Sequence, residues 1–327
     1  TALLELYSNY IFQQTFTTSQ PIYEAICSNF LLYMMELKCQ KPSEQKADSV
    51  FINSWFFFDL VIKSMTLKLK DEGKLNQAQR KGLFDDVYVR TLSRLLVNLA
   101  KYFKDQMSQN NEIRMLNKNL ALFMNDLFSV FDRGIVLDMI RSYLQEMTDP
   151  TQELLSTTYK VEFLRIIADN EHYVALNLPF YPMEDLSVNT LTKRHPVAYT
   201  VIFNVLQTLK SSDSEVWPLA TDALYDVVVK NAFDERYTQK EAKERIAGMY
   251  FVLIPMFIDS WTSFENWRQH SHVLAKREFY ICILYVIRSG NPDMLHRWWK
   301  NEITSNQVLF LQLLDDIVRA FEFNPEY

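Results

Sequence analysis

The sequence predicts an all-α fold, an α-solenoid of antiparallel helix pairs in the armadillo or HEAT manner, and three observations carry that prediction. Apolar residues recur at three- and four-residue spacing almost throughout, as in Leu92, Leu95, Leu96, Leu99 and Phe103, or Leu120, Phe123, Met124, Leu127 and Phe131. Strand-like alternation is never sustained. Glycine supplies only 5 of 327 residues, about 1.5% against roughly 7% in average proteins, whereas hairpin turns need glycine at positive φ.

The elements follow in order. Helices near 2–16 and 20–38 rest on periodicity alone. The next, near 47–70, is apolar almost all round, with Phe51, Trp55, Phe56, Phe57, Phe58, Leu60, Val61 and Met65, so it is expected between other helices and not on a surface. The ladders quoted above place helices near 84–108 and 112–131, and another follows near 134–147. Asp149 before Pro150 marks the start of a helix near 151–172, because proline lacks an N–H that the first turn leaves unused. Between 173 and 195 the rhythm breaks at Pro179, Pro182 and a polar run, which reads as a domain boundary or a long loop inside one stack. Helices resume near 196–211 and 214–232. Thr238 with Glu241 reads as a capping box opening 239–260, and Thr304 with Gln307 as another opening 305–322. Between them lie 273–289 and, after Asn291-Pro292, a helix near 292–300.

Short connectors between long helices favour antiparallel neighbours, and the pairs recur at about 40-residue spacing, the armadillo or HEAT period. Residues 1–327 are expected to form one such region, or two halves, 1–172 and 196–327, joined by 173–195. Thr1 stands where a methionine would open a chain, which suggests a piece of a longer protein. The net charge of −6 gives no field that would draw nucleic acid. Cys27, Cys39 and Cys282 lack CxxC spacing and fit reduced thiols, hence a cytoplasmic setting. The most apolar stretch, Val50 to Leu69, contains Asn53, Asp59, Lys63 and Lys68, so no membrane insertion is expected.

No catalytic motif can be written in this sequence. The glycines are too scattered for a dinucleotide turn, a Walker loop or a nucleophile elbow. His270 and His272 fall on different faces of a helix and have no third ligand in view. His172 sits at an expected helix end, where the dipole favours an imidazolium. Asp85 with Asp86 and Asp315 with Asp316 are adjacent and diverge on a helix. No catalytic, cofactor-binding or metal site is therefore expected. One region stands out: residues 273–300 hold five basic against two acidic side chains, and 301–327 five acidic against Arg319. Arg297, Trp298 and Trp299 there are residue types enriched in interface hot spots, a candidate interdomain or partner surface. The alternative is that a tryptophan plugs the end of the stack.

Five segments in order resemble the Dock (dedicator of cytokinesis) family of guanine-nucleotide exchange factors, in its zizimin and zizimin-related branches. They are Ser54 to Met65 (SWFFFDLVIKSM), Leu120 to Gly134 (LALFMNDLFSVFDRG), Phe163 to Pro179 (FLRIIADNEHYVALNLP), Ala232 to Tyr237 (AFDERY) with Arg245 to Tyr250 (RIAGMY), and Ile281 to Ser289 (ICILYVIRS) before Trp298. The resemblance implies the armadillo-like region between the lipid-binding and catalytic Dock homology regions, with the catalytic region absent from this chain. It further implies a non-catalytic scaffold whose parent acts on Rho-type GTPases of the Rac and Cdc42 class, forms a homodimer and is recruited to the plasma membrane. Its partners would be neighbouring domains and, through the missing region, the GTPase. The rival expectation is a free-standing helical-repeat adaptor that binds peptides as a karyopherin does; the six tryptophans show no fixed period of the kind such adaptors display.

Overall fold

The apolar ladders fold as helices whose buried stripes face one another. The computed structural model describes residues 2–8, 21–39, 49–77, 79–107, 111–177, 187–269 and 272–322, and among them there is no strand. The chain divides into two compact units, Thr1–Ile167 and Ala168–Tyr327.

In the first unit α1 is Ala2–Leu6, α2 Ile22–Cys39, α3 Ser49–Ile52, α4 Ser54–Asp71, α5 Asp86–Asp105, α6 Asn111–Val130, α7 Arg133–Glu146 and α8 Glu153–Ala168. Helices α2, α5 and α7 pack in one row and α4 against α6 in a second, with α2 also on α4. Helix α8 extends the second row, since Asn117 on α6 donates to the Tyr159 carbonyl at 2.9 Å and Arg114 pairs with Glu162. This is the two-row stack of helix pairs expected of an α-solenoid. The Tyr143 hydroxyl donates to the Asn117 side chain at 3.0 Å, so one buried amide keys α6 to both α7 and α8. Phe58 stacks on Phe123, and Phe84 on Phe131, with ring centroids 4.6 and 5.1 Å apart.

Helix starts follow the short polar residues. Asp85 accepts from the Val87 N–H, Asp132 from those of Gly134 and Ile135, and Asp149 from that of Thr151 behind Pro150. The adjacent aspartates thus divide their work: Asp85 caps and Asp86 lies in the first turn, beside the positive end of the dipole.

The apolar segment near 47–70 departs from expectation. It breaks at Asn53 into α3 and α4, and Trp55, Phe56 and Phe57 are only half-buried. Burial follows the stripe Ser54, Phe58, Val61, Met65 and Leu69, the face that α2 and α6 cover. Phe57 instead lines an open apolar groove of about 320 Å³ with Ile26, Phe30, Tyr33 and Val50. An all-round apolar sequence has no directional signal, so the covered face was set by the neighbours.

In the second unit α9 is Tyr173–Asn177, α10 Val188–Arg194, α11 Pro196–Leu209, α12 Val216–Ala232, α13 Lys240–Met249, α14 Leu253–Asp259, α15 Glu265–Gln269, α16 Val273–Ser289, α17 Pro292–Asn301 and α18 Thr304–Phe321. Helices α11, α12, α16 and α18 pack in succession, with α13 on α12 and α16 and α14 on α18. The core gathers aromatic rings: Phe257 stacks on Phe264 at 4.6 Å and meets Trp267 and Phe279 at 5.9 and 5.1 Å.

Three expectations are corrected here. The segment 173–195 is not irregular throughout, because its ends form α9 and α10; residues 178–186 lie outside the described residues. Its key is Asn177, fully buried, whose Oδ1 accepts from the N–H groups of Val197 and Ala198 at 3.0 and 2.8 Å while its Nδ2 donates to the Tyr173 carbonyl. That side chain caps α11 from a distance, since the adjoining N-cap residue, His195, makes no side-chain cap of its own. The expected helix 239–260 is two helices that meet at Tyr250–Val252. Pro255 has no N–H and its ring would strike the carbonyl four residues back, so the chain restarts at Leu253 and places the proline in the first turn. Neither capping box forms: the N-cap positions are Gln239 and Ile303, without side-chain caps.

Candidate functional site

The C-terminal end of the second unit holds the three residues singled out from the sequence. Helix α17 starts where Asn291 accepts from the Asp293 N–H at 2.9 Å with Pro292 at its first position. Adjacent residues on a helix project about 100° apart, and this separates the two tryptophans. Trp298 is 4% exposed. Its ring lies edge-on to Phe310 of α18 at 5.3 Å and to Phe251 at 6.3 Å, which makes it a plug between helices and not a surface residue. Trp299 is half-buried at the side of Phe310, 6.0 Å between centroids, and its carbonyl accepts from Gln307. Arg297 is exposed, with its Nε turned back to the Asp293 carbonyl at 3.4 Å. Of the three, only Arg297 and part of Trp299 lie at the surface.

The opposed charges of this end are partly satisfied internally. Arg268 pairs with Asp316 at 3.0 Å and lies 3.7 Å over the Trp261 ring, and Arg277 donates to the Ala320 carbonyl at 2.8 Å near the end of α18. Arg319 pairs with Asp315 one turn away. Asn306 donates to both Asp259 and Glu302. Burial, and then the charge of Glu302, raise the Asp259 carboxyl above its ordinary pKa.

Trp298→Ala is expected to destabilise the second unit by about 3–5 kcal/mol, the range for emptying a buried aromatic site, while Arg297→Ala stays within about 0.5 kcal/mol, as surface changes do. Urea midpoints at constant slope check this. Equal effects would return Trp298 to the surface.

The remaining candidates do not assemble. His172 meets Glu171 at 3.2 Å at the surface, His272 stands edge-on to Trp217, and His270 lies outside the described residues. Among the described residues no three His, Cys, Asp or Glu side chains converge as metal ligands, and no single helix is long and apolar enough to cross a membrane. The Cys27 thiol is buried and its pKa pushed up to about 12, chiefly by desolvation, so it is held as the unreactive thiol; burial raises Cys282 as well. The side chain of Cys39 lies outside the described residues.

Comparison with known proteins converges on one family. A family model described as "DOCK6-11, TPR domain" matches residues 1–168, a little over half of the chain. The chain is 29% identical over 219 residues to mouse dedicator of cytokinesis protein 9, covering 63% of this chain and 11% of that protein. It is 26% identical over 373 residues to human dedicator of cytokinesis protein 7, covering 84% and 17%, and 25% identical over 283 residues to guanine nucleotide exchange factor SPIKE 1 of Arabidopsis thaliana, covering 84% and 14%. It therefore spans a small fraction of the length of the curated relatives it matches. No solved structure matches it. A stack of helix pairs, five family-like segments in order and a matching family model agree: this chain belongs to the Dock family, in the helical region that its members 6 to 11 share.

Proposed function

We propose that this chain is the non-catalytic helical scaffold of a Dock-type guanine-nucleotide exchange factor for Rho-type GTPases of the Rac and Cdc42 class. In this reading it positions a catalytic region that lies elsewhere in the longer protein, and it offers surfaces to neighbouring domains and partners. The observation that carries the reading is the family match laid over a stack of packed helix pairs, the architecture of scaffolds whose neighbours bind along the stack. One relative is named for the exchange activity itself. In this reading the repeat is armadillo-like: the starts of α5 and α7, 47 residues apart, support that length over the ~34 of a TPR pair, while α2 and α5 start 64 apart and the matching family model is described as a TPR domain. The setting is cytoplasmic, with a parent that dimerises and is recruited to the plasma membrane.

The test is release of a fluorescent GDP analogue from Rac- and Cdc42-type GTPases. The purified chain alone is expected to leave the rate unchanged, and the longer protein to raise it. Stimulation by the chain alone that survives purification would overturn the non-catalytic assignment. A longer protein without activity on either GTPase would overturn the choice of substrate.

A further inference from the structure

Phe233 is 80% exposed, the most exposed large apolar side chain among the described residues. It stands at the end of α12, where its N–H closes the last turn on the Val229 carbonyl at 3.1 Å. A lone exposed apolar residue is ordinary on a protein surface. What sets this one apart is how firmly its support is held. Asp234 accepts from the Arg236 N–H and takes its guanidinium at two oxygens, with Nε at 3.0 Å and Nη2 at 2.7 Å. The same guanidinium reaches across to the Glu171 carbonyl at 3.1 Å, and Lys230 of α12 pairs with Asp169. Two turns, one after α8 and one after α12, are thereby fastened together next in sequence to the exposed Phe233.

The charge around the ring is one-sided. Arg236 and Lys230 lie at the surface but are each paired with a carboxylate, Asp234 and Asp169, whereas the Glu171 side chain is 79% exposed, Asp169 is 77% exposed and Glu235 is exposed as well. The His172 ring meets the Glu171 carboxylate at 3.2 Å on the same turn. The contacts of Asp234 and Arg236 fix the backbone that carries the ring, which reduces the ordering that association requires, and exposed carboxylates near it favour a basic counterpart.

We propose that this turn is a protein-docking knob: Phe233 inserts into an apolar socket on a partner protein, and lysine or arginine side chains around that socket meet Asp169, Glu171 and Glu235. The assignment is independent of the exchange-factor reading, because it rests only on the geometry of the α12 turn.

The test places the photocrosslinking residue p-benzoylphenylalanine at position 233 of the full chain in cells, with the same residue at exposed Lys240 as the control. A discrete protein adduct specific to position 233 is expected, with its crosslink in an apolar pocket flanked by Lys or Arg. Binding of that purified partner should then weaken about thirtyfold or more in Phe233→Ala, the threshold for a hot spot. Glu171→Lys with Glu235→Lys should weaken it further, with melting temperatures unchanged throughout. The proposal is overturned by no adduct beyond the control, by an adduct to lipid or to a second copy of this chain, or by affinity that Phe233→Ala leaves intact. A fall in melting temperature in Phe233→Ala would overturn it too, since the ring would then belong to the fold.

Discussion

Phe58→Ala is expected to lower the stability of the first unit by about 3–5 kcal/mol, and Phe57→Ala, one residue away, by less than ~1 kcal/mol. The Phe58 ring is 3% exposed and stacked on Phe123 across the α4–α6 contact, so its removal leaves a void that both helices would have to collapse to fill. Phe57 faces the open groove against α2, where water already reaches part of the ring. For a unit of this size each kcal/mol moves the midpoint by about 2–4 °C, so helicity followed by heating should separate the two variants by roughly 10 °C. Equal losses would mean that α4 is enclosed on both sides.

Asn177→Ala is expected to cost about 3–4 kcal/mol, more than any ordinary helix cap. The Asn177 amide is fully buried and satisfies two N–H groups at the start of α11 as well as the Tyr173 carbonyl. Truncation leaves those donors without a partner inside the protein, at about 1–3 kcal/mol each. Asn189→Ala, on the exposed face of α10, serves as the comparison and should stay within about 0.5 kcal/mol. Denaturant midpoints decide it. If the two asparagines behaved alike, α9 would not be fastened to α11 through this side chain.

Much of the helical order was legible in the sequence where the signal is local. Asp149 with Pro150 and Asn291 with Pro292 start helices as read, because cap and first turn lie within a few residues. The ladder from Leu92 to Phe103 is buried throughout, because a single apolar stripe admits one packing face. What could not be read depends on contacts distant in sequence. Short helices such as α9 and α10 have too few turns for a period to show, and Asn177 acts on residues twenty positions away. At the candidate surface, residue type alone could not divide Trp298 from Trp299, since only the position of Phe310 decides which ring is enclosed. Phe233 lies in the family-like segment Ala232 to Tyr237, but nothing in the sequence marks its side chain as exposed, because exposure is decided by the packing of elements distant in sequence.

The two compact units differ optically in a way that matters for measuring them. Of the six tryptophans, Trp55 alone belongs to Thr1–Ile167, while Trp217, Trp261, Trp267, Trp298 and Trp299 all belong to Ala168–Tyr327. Trp217 and Trp267 are sealed in the core, and the Arg268 guanidinium lies against the Trp261 ring. Indole emission is therefore very largely a readout of the second unit, whereas far-ultraviolet dichroism weighs both by their helices. Any difference between the two curves on unfolding is itself a measure of how independently the halves of the chain melt, obtained without a label or a cut.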